Sequence, residues 1–187
     1  IGDCVTSLGV SAFTYSYSLT SCTIGSRVTT ISNSAFRFCT SLTSCTIGSG
    51  VTSIGDNVFR NCSNLTSIDI PYGVTSIGES TFESCHSLTS VTIPASVTRI
   101  YEYAFFACRG LTSITIPDSV TSIRDSAFSN CSGLTSIKIY ATTPPTLGLR
   151  KNAFDSTNNC PIYVPADSVD AYKSAWILYA SRIQAIP

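Results

Sequence analysis

The sequence predicts an α/β solenoid: a right-handed stack of 23-residue coils, each with one parallel strand and a short helical turn, and a C-terminal helical cap. The segment at residues 111–117 recurs along the chain, and each copy starts with a leucine 23 residues after the last. These leucines are Leu19, Leu42, Leu65, Leu88, Leu111 and Leu134. A phenylalanine column keeps the same spacing at Phe13, Phe36, Phe59, Phe82, Phe105 and Phe128. Apolar columns at one fixed spacing indicate units that bury their faces only against their neighbours.

Within one coil, the residue pattern predicts a strand, a second extended piece and a capped turn. Residues 113–117 alternate polar and apolar side chains and are rich in β-branched residues, which is typical of a half-buried strand. A second short extended piece follows at 120–123. Asp125 stands where a helix N-cap belongs, so we expect a short helical turn over 126–130 with Phe128 pointing inward.

The period breaks after Ile139, and the residues beyond it predict an irregular last coil with a cap. Residues 142–146 form an insertion, and residues 160–165 have the pattern of the last strand. Asp167 or Ser168 can then N-cap a terminal helix. The aromatic side chains that suit a lid over the last coil are Tyr172, Trp176 and Tyr179.

These boundaries predict a single domain in two parts. Residues 1–140 are the coils, of which the first is incomplete, and residues 141–187 are the last irregular coil and the cap. Ile1 falls in the middle of a repeat, because it occupies a strand column. An uncovered strand leaves backbone N–H and C=O groups free to pair, so the open first coil is a candidate site of self-association.

The composition excludes several classes of partner. Eleven basic and eleven acidic residues give a formal net charge of +0, and only 12% of the residues are charged. Because nucleic-acid-binding proteins carry a basic surface, we expect no nucleic-acid partner. No apolar run approaches the roughly 20 residues of a membrane-spanning helix, so we expect no membrane span in this chain.

The nine cysteines suggest a disulfide framework until their positions are compared. Five of them follow the 23-residue period, at Cys39, Cys62, Cys85, Cys108 and Cys131. Cys22 and Cys45 lie in another column, where later coils have isoleucine or valine. A cysteine that alternates with these residues behaves as a small buried hydrophobe, so we expect buried free thiols. The Cys and His spacings predict no metal site, and no cofactor is expected.

Two further patterns raise catalytic or metal chemistry, and each has a structural interpretation. His86 follows Cys85, but the period places Cys85 in the buried column and His86 on an exposed turn, which disfavours a thiolate–imidazole pair. An acidic column that could hold calcium consists of Asn33, Asp56, Glu79, Glu102 and Asp125. Calcium takes about six or more oxygens and each coil supplies one such side chain, so we expect helix caps instead. The sequence therefore predicts no catalytic residue and no metal.

Two groups of residues are candidates for ligand binding. On the exposed face of the predicted strands they are Ser67, Asp69, Ser90, Thr92, Ser113, Thr115 and Lys138. The second group is an aromatic cluster in one coil: Tyr101, Tyr103 and Phe106. Exposed aromatic clusters are enriched in protein interfaces. The alternatives are a merely soluble strand surface for the first group, and local packing or an interdomain contact for the second.

The repeat resembles the BspA-like leucine-rich repeats of bacterial surface proteins. The resemblance rests on the motif AFxxCxxLTSITIPxSVTSI over roughly residues 1–140 and on the ending YVPADSVDAYKSAW. It implies a secreted or cell-surface protein that binds or adheres rather than catalyses. Its implied partner is a protein or glycan, including host extracellular matrix, and no ligand-binding residues carry over. The alternative function is a structural spacer that displays another domain at the cell surface.

Overall fold

A computed structural model describes residues 1–2 and 4–187, and the chain forms a solenoid with two rows of short parallel strands. The first row holds β2 (Ser21–Ile24), β4 (Ser44–Ile47), β6 (Ser67–Asp69), β8 (Ser90–Thr92), β10 (Ser113–Ile116), β12 (Ser136–Ile139), β14 (Ile162–Val164) and β15 (Ile183–Ala185). The second row holds β1 (Ser7–Leu8), β3 (Thr30–Ile31), β5 (Ser53–Ile54), β7 (Ser76–Ile77), β9 (Arg99–Ile100), β11 (Ser122–Ile123) and β13 (Thr146–Leu147). The helical segments are a 3-10 helix (Ala166–Ser168), α1 (Val169–Ala175) and a second 3-10 helix (Ile177–Arg182).

Strand pairing turns each sequence column into a row in space. Ser113 pairs with Ser136 and Thr115 pairs with Lys138, in parallel and one coil apart. The first row consists of two sheets, in the orders β2-β4-β6-β8 and β10-β12-β14-β15. The second row likewise consists of β1-β3-β5 and β7-β9-β11-β13. The predicted solenoid of 23-residue coils is therefore confirmed.

The core is a column of stacked aromatic rings flanked by aliphatic columns. The rings of Phe36 and Phe59 stack nearly parallel with centroids 5.4 Å apart, and those of Phe105 and Phe128 are 5.0 Å apart. The leucine, valine and isoleucine columns of the central coils are buried around them. Because every coil buries the same face, its exposed positions also recur in rows, and these rows form the surface on which a partner would bind.

The third side of each coil is a turn, so the predicted helical turn over residues 126–130 is wrong. Ser126 and Asn130 have left-handed φ angles of 57° and 61°, which a right-handed helix does not contain. Alternate N–H groups on this side donate to the next coil, as Phe105 N–H does to Ala127 O at 2.7 Å. A helical turn would use these donors within one coil, whereas the stack uses them to join neighbouring coils.

The acidic column also joins coils, which corrects the expectation that Asp125 and its equivalents cap helices. Asp56 N–H donates to Asn33 Oδ1 at 3.0 Å, and Glu79 N–H donates to Asp56 Oδ1 at 2.8 Å. Arg150 N–H donates in the same way to Asp125 Oδ1 at 2.8 Å. Within residues 1–2 and 4–187, the glutamates of this column accept no such bond. The link therefore depends on the shorter side chains of asparagine and aspartate.

The C-terminal part closes the stack with α1 and with one more strand than the sequence predicts. Ser168 occupies the N-cap position of α1, but its side chain makes no capping hydrogen bond. Trp176 packs against Phe154, with 5.6 Å between ring centroids. The strand expected in residues 160–165 is β14, but β15 pairs beside it in parallel, so β14 is not the last strand. The chain after α1 returns to the open edge of β14, where its backbone groups complete the ladder.

Candidate functional site

The predicted strand-face residues lie side by side on one surface, here called the strand face: Ser67, Asp69, Ser90, Thr92, Ser113, Thr115 and Lys138. All are exposed except Lys138, which is half-buried. The threonines just before the strands donate their hydroxyls to the preceding coil, as Thr66 does to Thr43 O at 3.1 Å. Among the described residues, the strand-face side chains make no hydrogen bond or ion pair. Their polar atoms are therefore available to a partner.

Two shallow depressions on the strand face contain six of the seven predicted residues. One, of about 240 Å³, lies between β4 and β6 and includes Ser67 and Asp69. The other, of about 310 Å³, lies between β8 and β10 and includes Ser90, Thr92, Ser113 and Thr115. Lys138 lies outside both, on β12.

The larger depression coincides with the interruption in the first row of strands. Thr89 N–H donates to Thr66 O, and Thr135 N–H donates to Thr112 O, both at 2.9 Å. In the described part of the chain, Thr112 N–H has no such backbone acceptor. Val91 of β8 is half-buried, whereas the isoleucines of the same column in β6 and β10 are 2% exposed. β8 and β10 are thus neighbours without being paired.

The strand face extends beyond the predicted residues onto the C-terminal part. Lys138 pairs with Tyr163 of β14, and Tyr163 pairs with Gln184 of β15. Sequence reasoning missed both residues because the 23-residue period is lost after Ile139. The alternation of apolar and polar residues around Tyr163 was the available signal. These residues add an aromatic ring and an amide to the end of the face.

The predicted aromatic cluster is half-buried, and two of its three rings meet. Tyr103 and Phe106 contact edge to face with centroids 5.6 Å apart. Tyr101 is also half-buried, and it pairs with no aromatic ring among the residues described. The contact between Tyr103 and Phe106 favours local packing, while ligand binding by the three residues stays a hypothesis.

Position 101 can hold a tyrosine because the acidic column one coil earlier carries a glutamate rather than an aspartate. A Cβ atom on Gly78, one coil before Tyr101, would lie 2.6 Å from Asp56 Oδ1, which leaves no room for a side chain. In the next coil the acidic residue is Glu79, whose side chain accepts no hydrogen bond from the coil that follows. The position equivalent to Gly78 in that following coil therefore has room for a large side chain, and it is Tyr101. Arg124 is the equivalent residue one further coil along, and it likewise follows a coil whose acidic residue is a glutamate, Glu102.

A second aromatic group, which sequence reasoning missed, lies on the turns of the first two coils. Tyr15 stacks on Phe38 with centroids 5.1 Å apart, and Tyr15 and Tyr17 are 5.9 Å apart. The Arg37 guanidinium lies 4.9 Å from the centroid of Phe38. Tyr15 and Tyr17 are 53% and 56% exposed, so this group is more exposed than the predicted one. The signal was the shared column of Tyr15 and Phe38, which are 23 residues apart.

Cys85 and His86 have separate structural environments. Cys85 Sγ is buried and donates to Phe59 O at 3.1 Å. His86 is exposed, and its Nδ1 lies 3.0 Å from Ala107 O, which makes that nitrogen a donor. Burial raises the pKa of the Cys85 thiol to about 12, so this thiol is neutral at physiological pH. The arrangement is that of a structural thiol beside a surface histidine.

The periodic cysteines are buried, as predicted, and their thiols join adjacent coils. Each Sγ donates to a phenylalanine carbonyl of the preceding coil at 3.0 to 3.1 Å. Cys22 and Cys45 are register partners on β2 and β4. In residues 1–2 and 4–187, no three His, Cys, Asp or Glu side chains converge as a metal site would require. None of the helices of this same region is long and apolar enough to cross a membrane.

The fold and its exposed face define a class of protein, a leucine-rich-repeat solenoid. The chain belongs to the family described as the BspA type leucine rich repeat region, which matches in six copies over residues 1–112 and 98–183. Proteins of this family are typically non-enzymatic repeat scaffolds. The resemblance seen in the repeat motif is therefore confirmed.

Two solved bacterial structures are similar to this chain. The leucine rich repeat protein of T. pallidum is 31% identical with a TM-score of 0.69, over 72% of this chain and 65% of that one. A leucine rich cell surface protein from Faecalibacterium prausnitzii A2-165 is 30% identical with a TM-score of 0.56, over 88% of this chain and 60% of that one. The chain thus spans less than two thirds of either protein. No curated protein matches the sequence.

Proposed function

We propose that this chain is a non-enzymatic binding module of a secreted or cell-surface bacterial protein, and that its strand face binds a protein or glycan. The observation that carries this proposal is the row of exposed hydroxyl side chains that make no hydrogen bond among the described residues. The similarity to a leucine rich cell surface protein supports the location. Host extracellular matrix is the partner class that the family resemblance favours.

The chemistry of the strand face favours a polar partner without strong net charge. Serine and threonine hydroxyls both donate and accept hydrogen bonds, so they match amides and sugar hydroxyls equally. Asp69 and Lys138 carry opposite charges on different coils, and the chain has a formal net charge of +0. Specificity therefore depends on hydrogen-bond geometry along the strands rather than on long-range charge.

A substitution on the strand face tests this proposal without disturbing the fold. The double variant Thr92→Lys and Thr115→Lys places two long cations in the larger depression. Lys138 already occupies this column, so the strands accommodate a lysine there. The matched control is Ser53→Arg on the second row, where Arg99 is the natural residue at the same position two coils later. Both proteins are screened with the parent against immobilised matrix proteins, mucins and glycans.

The expected result is a partner whose affinity falls roughly tenfold or more in the double variant and stays unchanged in the control. Binding that both variants retain would place the contact elsewhere, and the absence of any partner across the panel would contradict the proposal. The second outcome would favour a structural spacer. The ladders of hydrogen bonds between successive coils, which stiffen the stack, are the observation behind that second function.

A further inference from the structure

A cleft of about 460 Å³ lies away from the strand face, between the insertion at residues 142–146 and the turn of the preceding coil. Its lining includes Asp118, Thr121, Tyr140, Thr142, Thr143 and Pro144. Its volume falls in the range of small-ligand clefts, about 300–1,000 Å³. The insertion that builds it is also where the 23-residue period fails.

The insertion is held from beneath by two buried side chains of the C-terminal part. The Tyr172 hydroxyl donates to Ala141 O at 2.8 Å, and Trp176 Nε1 donates to Pro145 O at 3.0 Å. Tyr172 and Trp176 are 0% and 2% exposed. The bonds hold the backbone at both ends of the Thr-Thr-Pro segment, so the cleft is formed before any ligand binds.

The cleft combines one aromatic ring with side-chain oxygen atoms that make no hydrogen bond among the described residues. Tyr140 is 46% exposed and replaces the glycine or proline of the earlier coils, such as Pro117. Asp118, Thr142 and Thr143 are exposed, and in the described chain their side chains make no hydrogen bond or ion pair. No lysine, arginine or histidine lines this cleft in the part of the chain described.

We propose that this cleft is a binding site for a neutral saccharide. The C–H face of one sugar ring packs on Tyr140, its hydroxyls donate to the Asp118 carboxylate, and the Thr142 and Thr143 hydroxyls complete the contacts. A carboxylate with no cation beside it repels sialylated or sulfated sugars. Val120 and Ala141 of the lining are buried, so its exposed groups are mainly one aromatic ring and side-chain oxygens, which suit a sugar better than the apolar anchor of a peptide. The site is separate from the strand face and does not depend on what that face binds.

The test starts with the parent chain on an array of neutral, sialylated and sulfated oligosaccharides, followed by calorimetric titration of the strongest neutral binder. We expect Tyr140→Ala and Asp118→Ala each to weaken binding roughly tenfold or more, and Tyr140→Phe, which keeps the ring, to stay within about threefold. Ala95 occupies the equivalent position one coil earlier, so alanine fits at position 118.

The matched control is Tyr72→Ala, which removes an exposed tyrosine at the same edge of the stack but outside the cleft. It should leave the affinity unchanged. Circular dichroism shows that each variant is folded. The proposal is overturned if no neutral saccharide binds, if only charged sugars or peptides bind, or if Tyr140→Ala keeps the parent affinity.

Discussion

At the scale of single residues, the side-chain length of one acidic position decides which residue the next coil can carry. Asparagine or aspartate accepts a hydrogen bond from a backbone N–H of the next coil, and a glycine stands one or two residues before that N–H in each such case. The three pairs are Asn33 with Gly55, Asp56 with Gly78, and Asp125 with Gly148. After a glutamate the position is Tyr101 or Arg124 instead. A polar contact between coils therefore sets the residue size at a neighbouring position.

The first prediction concerns Gly78→Ala. The new Cβ would lie 2.6 Å from Asp56 Oδ1, so the variant should lose about 1–3 kcal/mol of unfolding free energy, as overpacked sites do. Urea denaturation measures the loss. In the background of Asp56→Ala the same change should cost less, because the oxygen is gone.

Arg124→Ala is the control in the same column, since Arg124 is exposed and follows a glutamate coil. It should change the free energy of unfolding by no more than about 0.5 kcal/mol. Equal losses for the two alanine variants would refute the steric rule.

At the scale of strands, two neighbouring strands of the first row, β8 and β10, are joined by fewer hydrogen bonds than the strands on either side of them. Adjacent coils are joined there by a ladder of threonine N–H and hydroxyl groups, and this ladder is interrupted between β8 and β10. Thr89 and Thr135 make both bonds to the coil before them. Thr112 makes neither among the described residues. The larger depression of the strand face lies at this step, so the local weakness and the candidate surface coincide.

The second prediction is faster amide hydrogen exchange at Thr112 than at its equivalents. The amides of Thr89 and Thr135 are each bonded to a carbonyl at 2.9 Å and must open before they exchange. Exchange followed by NMR should show roughly tenfold or greater differences between Thr112 and both of these residues. Equal protection at all three positions would mean that the ladder is continuous in solution.

At the scale of the whole molecule, the stack depends on its C-terminal cover. The phenylalanine column ends at Phe154, whose ring is covered by Trp176 and Tyr179 at 5.6 and 5.7 Å between centroids. Each coil contacts only its neighbours, so loss of the cover exposes the last coil first and then weakens the coils behind it.

The third prediction compares two neighbouring substitutions in this cover. Trp176→Ala opens a cavity over Phe154 and removes the bond to Pro145 O, so it should cost about 3–5 kcal/mol and lower the melting temperature of the chain. Ile177→Ala removes a side chain that is 71% exposed and should cost no more than about 0.5 kcal/mol. Scanning calorimetry reports both values. A melting temperature that Trp176→Ala leaves unchanged would show that the cap does not support the stack.

The sequence alone determined the coil length, the buried columns and the exposed strand face. The reason is that a period of 23 residues and the alternation along each strand are local patterns, repeated often enough to be read without contacts. Ser113 and Thr115 could be placed outside, and Ile114 inside, from their spacing. The buried position of Cys85 followed in the same way, because a cysteine recurs there in five successive coils, three residues from the phenylalanine column and three from the leucine column.

The tertiary structure alone decided the features that depend on contacts between coils. The turn at residues 126–130 resembles a capped helix in sequence, yet alternate N–H groups in it, such as those of Phe128 and Asn130, find acceptors in the next coil. The step between β8 and β10, the pairing of β15 beside β14, and the cleft beside Tyr140 likewise involve residues that no local pattern connects. Backbone hydrogen bonds must be satisfied somewhere, and in a stack of coils the nearest acceptor often belongs to a neighbour about 23 residues away.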